Sequence, residues 1–360
     1  MSLHFHKLRV KDIRKETDDC VSISFDIPNA LKDVFLFEQG QNITLRRDLN
    51  GEETRRSYSI CTSPFENELR VAVKKVEGGL FSCFAHAELH AGDEIEVLPP
   101  TGKFNTKLDP LNAKKYLAFA AGSGITPVIS IIKTTLQTEP GSSFTLVYGN
   151  RSRHSIIFFE ELEALKNKYL QRFNLIYILS REGTDTPVNA GRIDINKLSE
   201  LSRLVNYQSM DEIFICGPEE MIFTVKGFME KEKIDADKIH FELFTTPGQK
   251  KNMFPDPFSK KEKGSDKSLI TIKQDGRTMD FELAPDSEDT ILDAALKLGA
   301  DLPYSCRGGV CCTCKAKLLE GKVEMDTNWG LEKEEVEQGY ILTCQSHPRT
   351  PKVVVDFDVK

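Results

Sequence analysis

The pattern of apolar and polar positions changes along the chain, and its first part predicts strands. Up to about residue 107, short alternating segments such as CVSISFDI, QNITLRR and LRVAVKKVE are separated by turn residues. One helical stretch, FSCFAHAEL, interrupts them. Alternation with a period of two is typical of half-buried strands, and regular short strands with turns predict a small antiparallel β-barrel.

From about residue 108 to residue 245, strand-like runs alternate with runs of helical period. KYLAFAA, FTLVYGN, NLIYILS and DEIFICG predict strands, whereas TPVISIIKTTLQ and PEEMIFTVKGFMEKE predict helices. Strands that alternate with helices are typical of an α/β domain whose sheet is parallel.

The last third of the chain begins with a different composition. Residues 246–266 are polar, rich in lysine and broken by Pro and Gly, which predicts a linker. Residues 267–360 predict an α+β, β-grasp-like unit in which a hairpin turning at Asp275 and Gly276 precedes an amphipathic helix. The chain is therefore predicted to have several domains, at 1–107, 108–245 and 267–360.

Charge and composition exclude some classes of function. The chain is 360 residues long with a net charge of −7, which gives nucleic-acid binding no electrostatic support. No apolar run approaches the roughly 20 residues that a membrane helix needs. The N-terminal segment has charges throughout and lacks the apolar core of a signal peptide, so we expect a cytoplasmic protein. Residues 267–360 are the acidic part, either as a solvated surface or as a docking face for a basic partner.

Cysteine spacing gives the strongest chemical indication. Five of the nine cysteines fall between Cys306 and Cys344. Cys306, Cys311, Cys314 and Cys344 form C-x4-C-x2-C with a distant fourth cysteine, which is the spacing of plant-type [2Fe–2S] clusters. Gly308 and Gly309 can take positive φ and so bring backbone N–H groups towards the sulfides of the cluster.

Two alternatives accompany this cysteine pattern. A structural zinc site is one, although zinc loops typically use paired C-x2–4-C knuckles, whereas this three-cysteine loop has only one C-x2-C and the fourth cysteine stands alone. Cys312 is an additional cysteine at a position where ferredoxins usually carry a small residue. It packs inertly, acts as an accidental oxidation site, or serves as a rescue ligand.

The segment RRSYSI at 55–60 resembles the flavin motif of the ferredoxin–NADP reductase family. That resemblance implies that Arg56 meets the flavin phosphates, that Tyr58 packs on the isoalloxazine ring, and that the Ser59 hydroxyl reaches its N5 edge. The later segments VAVK and GGLFS match two further flavin-binding segments of the family. They add to the predicted flavin site the residues Val73, Lys74, Gly79, Leu80, Phe81 and Ser82.

The segment AAGSGITP at 120–127 resembles the family's own variant of the dinucleotide-binding loop. Glycines after a strand permit close approach of phosphates, and a helix start favours their negative charge. By the same resemblance, Thr126 lies between flavin and nicotinamide, and Cys216 with Gly217 lies beside the nicotinamide, without Cys216 acting as a nucleophile. Phe244 and Glu242, in HFELF, are candidates for flavin packing and for a polar or proton-handling group. The loop residues predicted to bind the nucleotide are Gly122, Ser123 and Gly124.

The choice of nucleotide depends on the residues that follow two strands. FTLVYGN ends without an acidic residue and is followed by Arg151 and Arg153, and the next strand ends in Ser180 and Arg181. A 2′-phosphate favours arginines, whereas a ribose 2′-hydroxyl favours a carboxylate. Arg153 is the weakest of these assignments. The pattern therefore favours NADPH over NADH.

The order of flavin, nucleotide and ferredoxin segments resembles that of reductase components of bacterial multicomponent oxygenases. This resemblance implies that electrons pass from NADPH to FAD, then to a [2Fe–2S] cluster, and finally to an acceptor oxygenase. The expected acceptor is a diiron oxygenase of phenylacetate degradation. The alternatives are an FMN- and NADH-dependent reductase of a Rieske-type dioxygenase and, from another class, an iron–sulfur redox sensor without turnover.

Overall fold

The computed structural model describes residues 4–244 and 267–359 of the chain. The predicted linker, 246–266, lies outside the described residues. The described chain forms two compact units. The larger one contains 6–54 and 58–244, and the other contains His4, Phe5, Arg55–Ser57 and 267–359. No helix among the described residues is long and apolar enough to cross a membrane.

The first sheet is antiparallel and has six strands in the order β4-β3-β6-β1-β2-β5. A bridge between Ile60 and Val71 connects the end of β4 to β5, so the sheet closes on itself as the alternating pattern predicts. Its apolar side chains, such as Ile23 and Leu45, are fully buried in one core. The elements are β1 (His6–Thr17), β2 (Cys20–Asp26), β3 (Asn42–Leu49), β4 (Glu52–Ser59), β5 (Leu69–Lys74), α1 (Leu80–Ala87) and β6 (Glu94–Val97).

The second sheet has five strands, all parallel, in the order β11-β10-β7-β8-β9. The chain runs from β7 outward through β8 and β9 and then returns to the other side of β7, so the strand order reverses between β7 and β10. Ligands of such sheets bind at the carboxyl ends of the strands where the order reverses. The elements are β7 (Lys115–Ala121), α2 (Ile125–Thr138), β8 (Ser143–Asn150), α3 (Phe159–Lys168), β9 (Phe173–Leu179), α4 (Ile195–Leu201), β10 (Glu212–Gly217), α5 (Glu219–Lys231) and β11 (Ile239–Leu243).

The C-terminal part of the chain forms a third, mixed sheet in the order β13-β12-β18-β14-β16 and a separate two-stranded sheet of β15 and β17. The central pair of the mixed sheet, β12 and β18, is parallel, and one helix, α6, buries Ile291, Leu292 and Ala295 against it. This is the predicted α+β arrangement. The elements are β12 (Ser268–Gln274), β13 (Arg277–Leu283), α6 (Ile291–Lys297), β14 (Lys315–Glu320), β15 (Val323–Met325), α7 (Lys333–Glu337), β16 (Tyr340–Leu342), β17 (Ser346–Pro348) and β18 (Lys352–Asp356).

Candidate functional site

The glycine loop that follows β7 packs directly against the end of β10. A Cβ atom placed on Gly124 would lie 2.1 Å from the Cys216 carbonyl oxygen, a distance that no side chain tolerates. Gly122 takes a φ of 54°, in the left-handed region that glycine adopts without strain. The two glycines therefore allow the loop to lie against Cys216 and Gly217, and the structure brings these predicted residues together at the switch point.

Cys216 is completely buried. Burial raises the pKa of its thiol well above the ordinary value, so the thiol stays protonated at neutral pH. Thr126 is also buried, and its hydroxyl donates to the Ser123 carbonyl at 3.0 Å. Both side chains are fixed by their surroundings, which suits residues that shape a pocket.

Ser59, which is buried, and Glu242, which is half-buried, form a polar pair. The Ser59 hydroxyl donates to the Glu242 carboxyl group at 3.1 Å, and Glu242 lies opposite Cys216 in the β10–β11 ladder. Burial raises the pKa of Glu242 to about 8. The sequence places the two residues in separate motifs, and nothing in their spacing indicates that they are partners.

The remaining predicted flavin residues lie on β4, on β5 and at the start of α1. The Tyr58 ring lies 5.6 Å from the Phe81 ring, Val73 is buried, and Arg56 donates to the Arg55 carbonyl at 2.7 Å. Helix α1 begins after Gly79, which has no side chain to cap it. Its first-turn N–H groups, among them those of Leu80 and Ser82, are therefore suited to a phosphate.

Lys74 is positioned by an acidic residue that the sequence analysis did not predict. Its ammonium group pairs with Asp19 at 3.3 Å and lies 3.9 Å from the place where a Cβ of Gly122 would be. Lys74, at the end of β5, therefore lies beside the glycine loop. Asp19 lies two residues after β1, a strand with many polar and charged residues. Nothing in the sequence distinguishes Asp19 from these neighbours.

The predicted 2′-phosphate residues lie side by side beyond the ends of β8 and β9. The Arg181 backbone N–H donates to the Arg151 carbonyl at 2.8 Å, and that of Ser180 donates to the Asn150 carbonyl at 2.9 Å. Arg151, Ser180 and Arg181 are all exposed. Arg153 differs, because its guanidinium group lies 4.7 Å above the Phe159 ring.

Phe244 is the last described residue of the larger unit, and 43% of its surface is exposed. It directly follows β11, the strand that carries Glu242. Its packing on flavin stays a prediction.

The four predicted cluster cysteines form two pairs. Cys306 and Cys311 share a side-chain hydrogen bond, as do Cys314 and Cys344. The hydrogen bond from Cys311 lowers the pKa of Cys306 to about 5. The β14–β16 ladder, with Lys315 opposite Leu342, leaves Cys314 and Cys344 just beyond its end.

The loop around the cysteines has an irregular backbone that turns N–H groups towards sulfur. The N–H groups of Gly308 and Cys311 donate to the Cys306 sulfur at 3.3 and 3.4 Å. Gly309 has the expected positive φ, 73°, and the Gly308 N–H faces sulfur as predicted. Arg307 and Cys312 in the same loop also have positive φ.

The donor set fits a [2Fe–2S] cluster. Each iron of such a cluster takes two thiolates, and the loop presents thiols in two pairs. Within the described residues no three metal-binding side chains gather closely enough to hold a single ion. The Thr313 hydroxyl is buried beside these thiols and has no oxygen or nitrogen partner in the described part of the chain. Its hydrogen bond goes to the Cys311 sulfur. The Cys312 thiol is occupied, since it donates to the Gly330 carbonyl at 2.7 Å.

Three sequence profiles match consecutive parts of the chain. The oxidoreductase FAD-binding domain matches residues 7–106, the oxidoreductase NAD-binding domain matches 119–227, and the 2Fe-2S iron-sulfur cluster binding domain matches 272–349. The predicted FAD and cluster are confirmed, and the alternatives of FMN and zinc are not supported.

Similar proteins match the chain over nearly its full length. The chain is 46% identical over 357 residues to a subunit of 1,2-phenylacetyl-CoA epoxidase from Escherichia coli (strain K12), covering 99% of this chain and 98% of that protein. It is 35% identical to the ferredoxin reductase component of 3-ketosteroid-9-alpha-monooxygenase from Rhodococcus rhodochrous, covering 97% and 96%.

A solved structure has the same fold. Phthalate dioxygenase reductase matches with a TM-score of 0.60 and 24% identity, covering 98% of both chains. The predicted multidomain architecture is thereby confirmed. Together with the profiles and the full-length relatives, it shows that the chain belongs to the family of reductase components of multicomponent oxygenases, which transfer electrons through FAD and a [2Fe–2S] cluster.

Proposed function

We propose that this reductase oxidises NADPH and supplies electrons to a diiron oxygenase that epoxidises the ring of phenylacetyl-CoA. The observation that carries the proposal is the 46% identity, over 99% of the chain, to a subunit of 1,2-phenylacetyl-CoA epoxidase. The acceptor would be the oxygenase part of that system, and the reaction would take place in the cytoplasm as part of phenylacetate degradation.

Preference for NADPH is supported by the arginines at the carboxyl ends of β8 and β9. Arg151 and Arg181 are backbone neighbours, and both are exposed. Two guanidinium groups and the Ser180 hydroxyl would bind a 2′-phosphate by charge-assisted hydrogen bonds. Arg153 would contribute less, because its guanidinium group already packs on Phe159.

The flavin would lie between Tyr58, Ser59 and the first turn of α1. Arg56 and the uncapped N–H groups after Gly79 would bind its phosphates. The Ser59 hydroxyl would then be shared between the flavin N5 edge and Glu242. Bound FAD supplies the exchange between a two-electron hydride donor and a one-electron carrier.

The nicotinamide would enter beside Gly124 and Cys216. Thr126 and the protonated Cys216 thiol would orient the ring and exclude water without forming a bond to it. Glu242, whose raised pKa keeps it protonated at neutral pH, would accept the hydrogen bond of the Ser59 hydroxyl and hold its own proton beside it. The cysteine pairs, Cys306 with Cys311 and Cys314 with Cys344, would hold the cluster.

A visible spectrum of the isolated protein tests the electron path. Under anaerobic conditions we expect flavin bands and a [2Fe–2S] shoulder to bleach faster with NADPH than with NADH. Equal rates, or faster bleaching with NADH, would contradict the proposed nucleotide.

The variant Arg181→Ala tests the source of that preference. We expect the KM for NADPH to rise by about tenfold or more and the KM for NADH to change by less than about twofold, because one charge-assisted contact to phosphate is lost. Arg203→Ala, at an exposed arginine after α4, is the matched control. Equal changes for both nucleotides would remove Arg181 from the phosphate site.

The identity of the electron acceptor is tested by reconstituting the reaction from purified proteins. We expect NADPH oxidation to be coupled to product formation when the purified diiron oxygenase and phenylacetyl-CoA are added. Coupling to a Rieske-type oxygenase instead, with none to the diiron protein, would replace the proposed acceptor.

A further inference from the structure

Arg55 is a buried cation that the flavin motif does not require. Only 5% of its surface is exposed, although it precedes Arg56, the arginine that resembles the family's phosphate ligand. A buried guanidinium group costs free energy unless its surroundings replace water, so its contacts need a structural explanation.

The surroundings of Arg55 belong to the segment that leads into the cysteine loop. Its guanidinium group donates to the Leu302 carbonyl at 3.1 Å and lies 4.1 Å from the centre of the Tyr304 ring. The ring of Phe5 lies 5.0 Å away. The carboxylate of Asp301 is 3.4 Å away and 80% exposed, whereas the Leu302 contact is buried and both rings are half-buried. Arg55 therefore binds the backbone of this segment as well as an exposed carboxylate.

A second contact lies beside the first. The Ser57 hydroxyl donates to the Ser305 hydroxyl at 2.8 Å, and Ser305 is buried. Ser57 directly precedes Tyr58, the predicted flavin residue, and Ser305 directly precedes Cys306, the first predicted cluster ligand. All residues of both contacts belong to the unit that contains the cysteine loop.

We propose that Arg55 and Ser57 are positioning residues that fix the 301–305 segment, and with it Cys306, for electron transfer from the flavin to the cluster. The inference rests on the proposed function, in which a reduced nicotinamide nucleotide reduces the flavin and each transfer then adds one electron to the oxidised cluster. Neither residue gains or loses an electron or a bond. Transfer rates depend steeply on distance and orientation, so a loosened segment slows this step alone.

The test measures the two steps separately in the full-length holoprotein. Stopped-flow spectra of Arg55→Ala, mixed anaerobically with NADPH, follow flavin bleaching and cluster bleaching. We expect flavin reduction within about twofold of wild type and cluster reduction slower by about tenfold or more. Arg55→Lys should restore little of the rate of cluster reduction. An ammonium group cannot both stack on the rings and donate hydrogen bonds as a guanidinium group does.

A readout independent of turnover is amide hydrogen exchange. We expect faster exchange at residues 301–306 in Arg55→Ala, with the electron paramagnetic resonance signal of the reduced cluster retained. Ser57→Ala, a smaller change, should slow cluster reduction by about two- to fivefold, so the inference stays testable if Arg55→Ala folds poorly. The matched control is Arg47→Ala, whose guanidinium group also covers a ring, Phe84, at 4.8 Å, and which should leave both steps unchanged.

The outcomes separate this inference from the proposed function. Unchanged cluster reduction and unchanged exchange at 301–306 in Arg55→Ala and Ser57→Ala would overturn the inference and leave the proposed function standing. Equal slowing of flavin and cluster reduction would also overturn it, because Arg55 would then act at the flavin. Failure of the wild-type flavin to be reduced by either nucleotide would instead remove the proposed function.

Discussion

The edge of the parallel sheet and the cysteine loop hold their functional groups in different ways. At the sheet edge, Cys216 is paired with Ala120 in a regular ladder, and Gly124 packs against it. Residues 306–314 contain no strand or helix, and two non-glycine residues among them have positive φ. A ladder keeps its groups in place without a ligand, whereas loop thiols depend on the metal they bind. We therefore expect the proposed nucleotide site to be preformed and the proposed cluster site to depend on its cluster.

The largest expected effect follows from replacing a cysteine of the cysteine loop. Cys306→Ser should abolish the cluster and lower acceptor reduction by about a hundredfold or more, while flavin reduction by NADPH changes by less than about twofold. Iron content, the resonance signal of the reduced cluster and flavin bleaching measure these effects. Cys312→Ser is the matched control, since its side chain contacts the Gly330 carbonyl and should leave the cluster intact. Loss of the cluster in that control would make Cys312 a ligand.

The next largest effect follows from a substitution at the edge of the parallel sheet. Gly124→Ala would place a methyl group 2.1 Å from the Cys216 carbonyl oxygen, so the loop must move. We expect a loss of about 1–3 kcal/mol in the free energy of unfolding and at least about tenfold slower flavin reduction, with the cluster retained.

The matched control is Gly227→Ala on α5, where the added Cβ meets nothing within 4 Å among the described residues. It should stabilise the protein by up to about 1 kcal/mol, because alanine favours the helix. Flavin reduction by Gly124→Ala at the wild-type rate would show that the close packing does not position the nucleotide.

Glu242 makes the stability of the sheet edge depend on pH. Its pKa, raised by burial from 4.5 to about 8, means that the folded protein holds a proton that the unfolded chain releases. The stabilisation is complete below pH 4.5 and is lost as pH rises towards 8, by a few kcal/mol at most. Glu242→Gln stays neutral and should lose less stability over that range. Urea unfolding of both holoproteins at about pH 6 and about pH 9 measures the difference, and parallel losses would place the raised pKa elsewhere.

The elements with clear periodicity could be predicted from the sequence, and those with mixed burial could not. The buried strands of the parallel sheet, such as KYLAFAA and DEIFICG, were predicted as strands because each contains an uninterrupted apolar run. The 12-residue strand β1 was missed, because its exposed positions are charged and outnumber its buried ones. A register shift between Val10 and Asp12 further interrupts its alternation.

The site divides in the same way. Residues 306–314, with the distant Cys344, and the glycine loop at 120–127 carry recognisable patterns, so the sequence alone supports a prediction of both sites. The pairing of Ser59 with Glu242 joins residues 183 positions apart and follows from how two sheets meet. The buried environment of Arg55 likewise depends on a segment far away in sequence, and no local pattern reports it.

The smallest expected effect compares one helix cap in each region. Thr290 accepts the Asp293 N–H at 3.2 Å at the start of α6, and Asp194 accepts the Lys197 N–H at 2.9 Å at the start of α4. Replacing either by alanine should cost about 1 kcal/mol in the free energy of unfolding. The first turn of α6 also supports the cluster loop, since the Leu292 N–H donates to the carbonyl of Thr343, the neighbour of Cys344.

We therefore expect Thr290→Ala to speed cluster loss in moderate urea by about twofold to fivefold, and Asp194→Ala to leave that rate unchanged. Bleaching of the cluster absorbance in the presence of an iron chelator gives the rate. If both variants released the cluster equally fast, the loop would be coupled to the stability of the whole chain. The prediction that the loop depends on α6 for local support would then be wrong. The contrast between the loop and the sheet edge would be limited to the cysteines that bind the cluster.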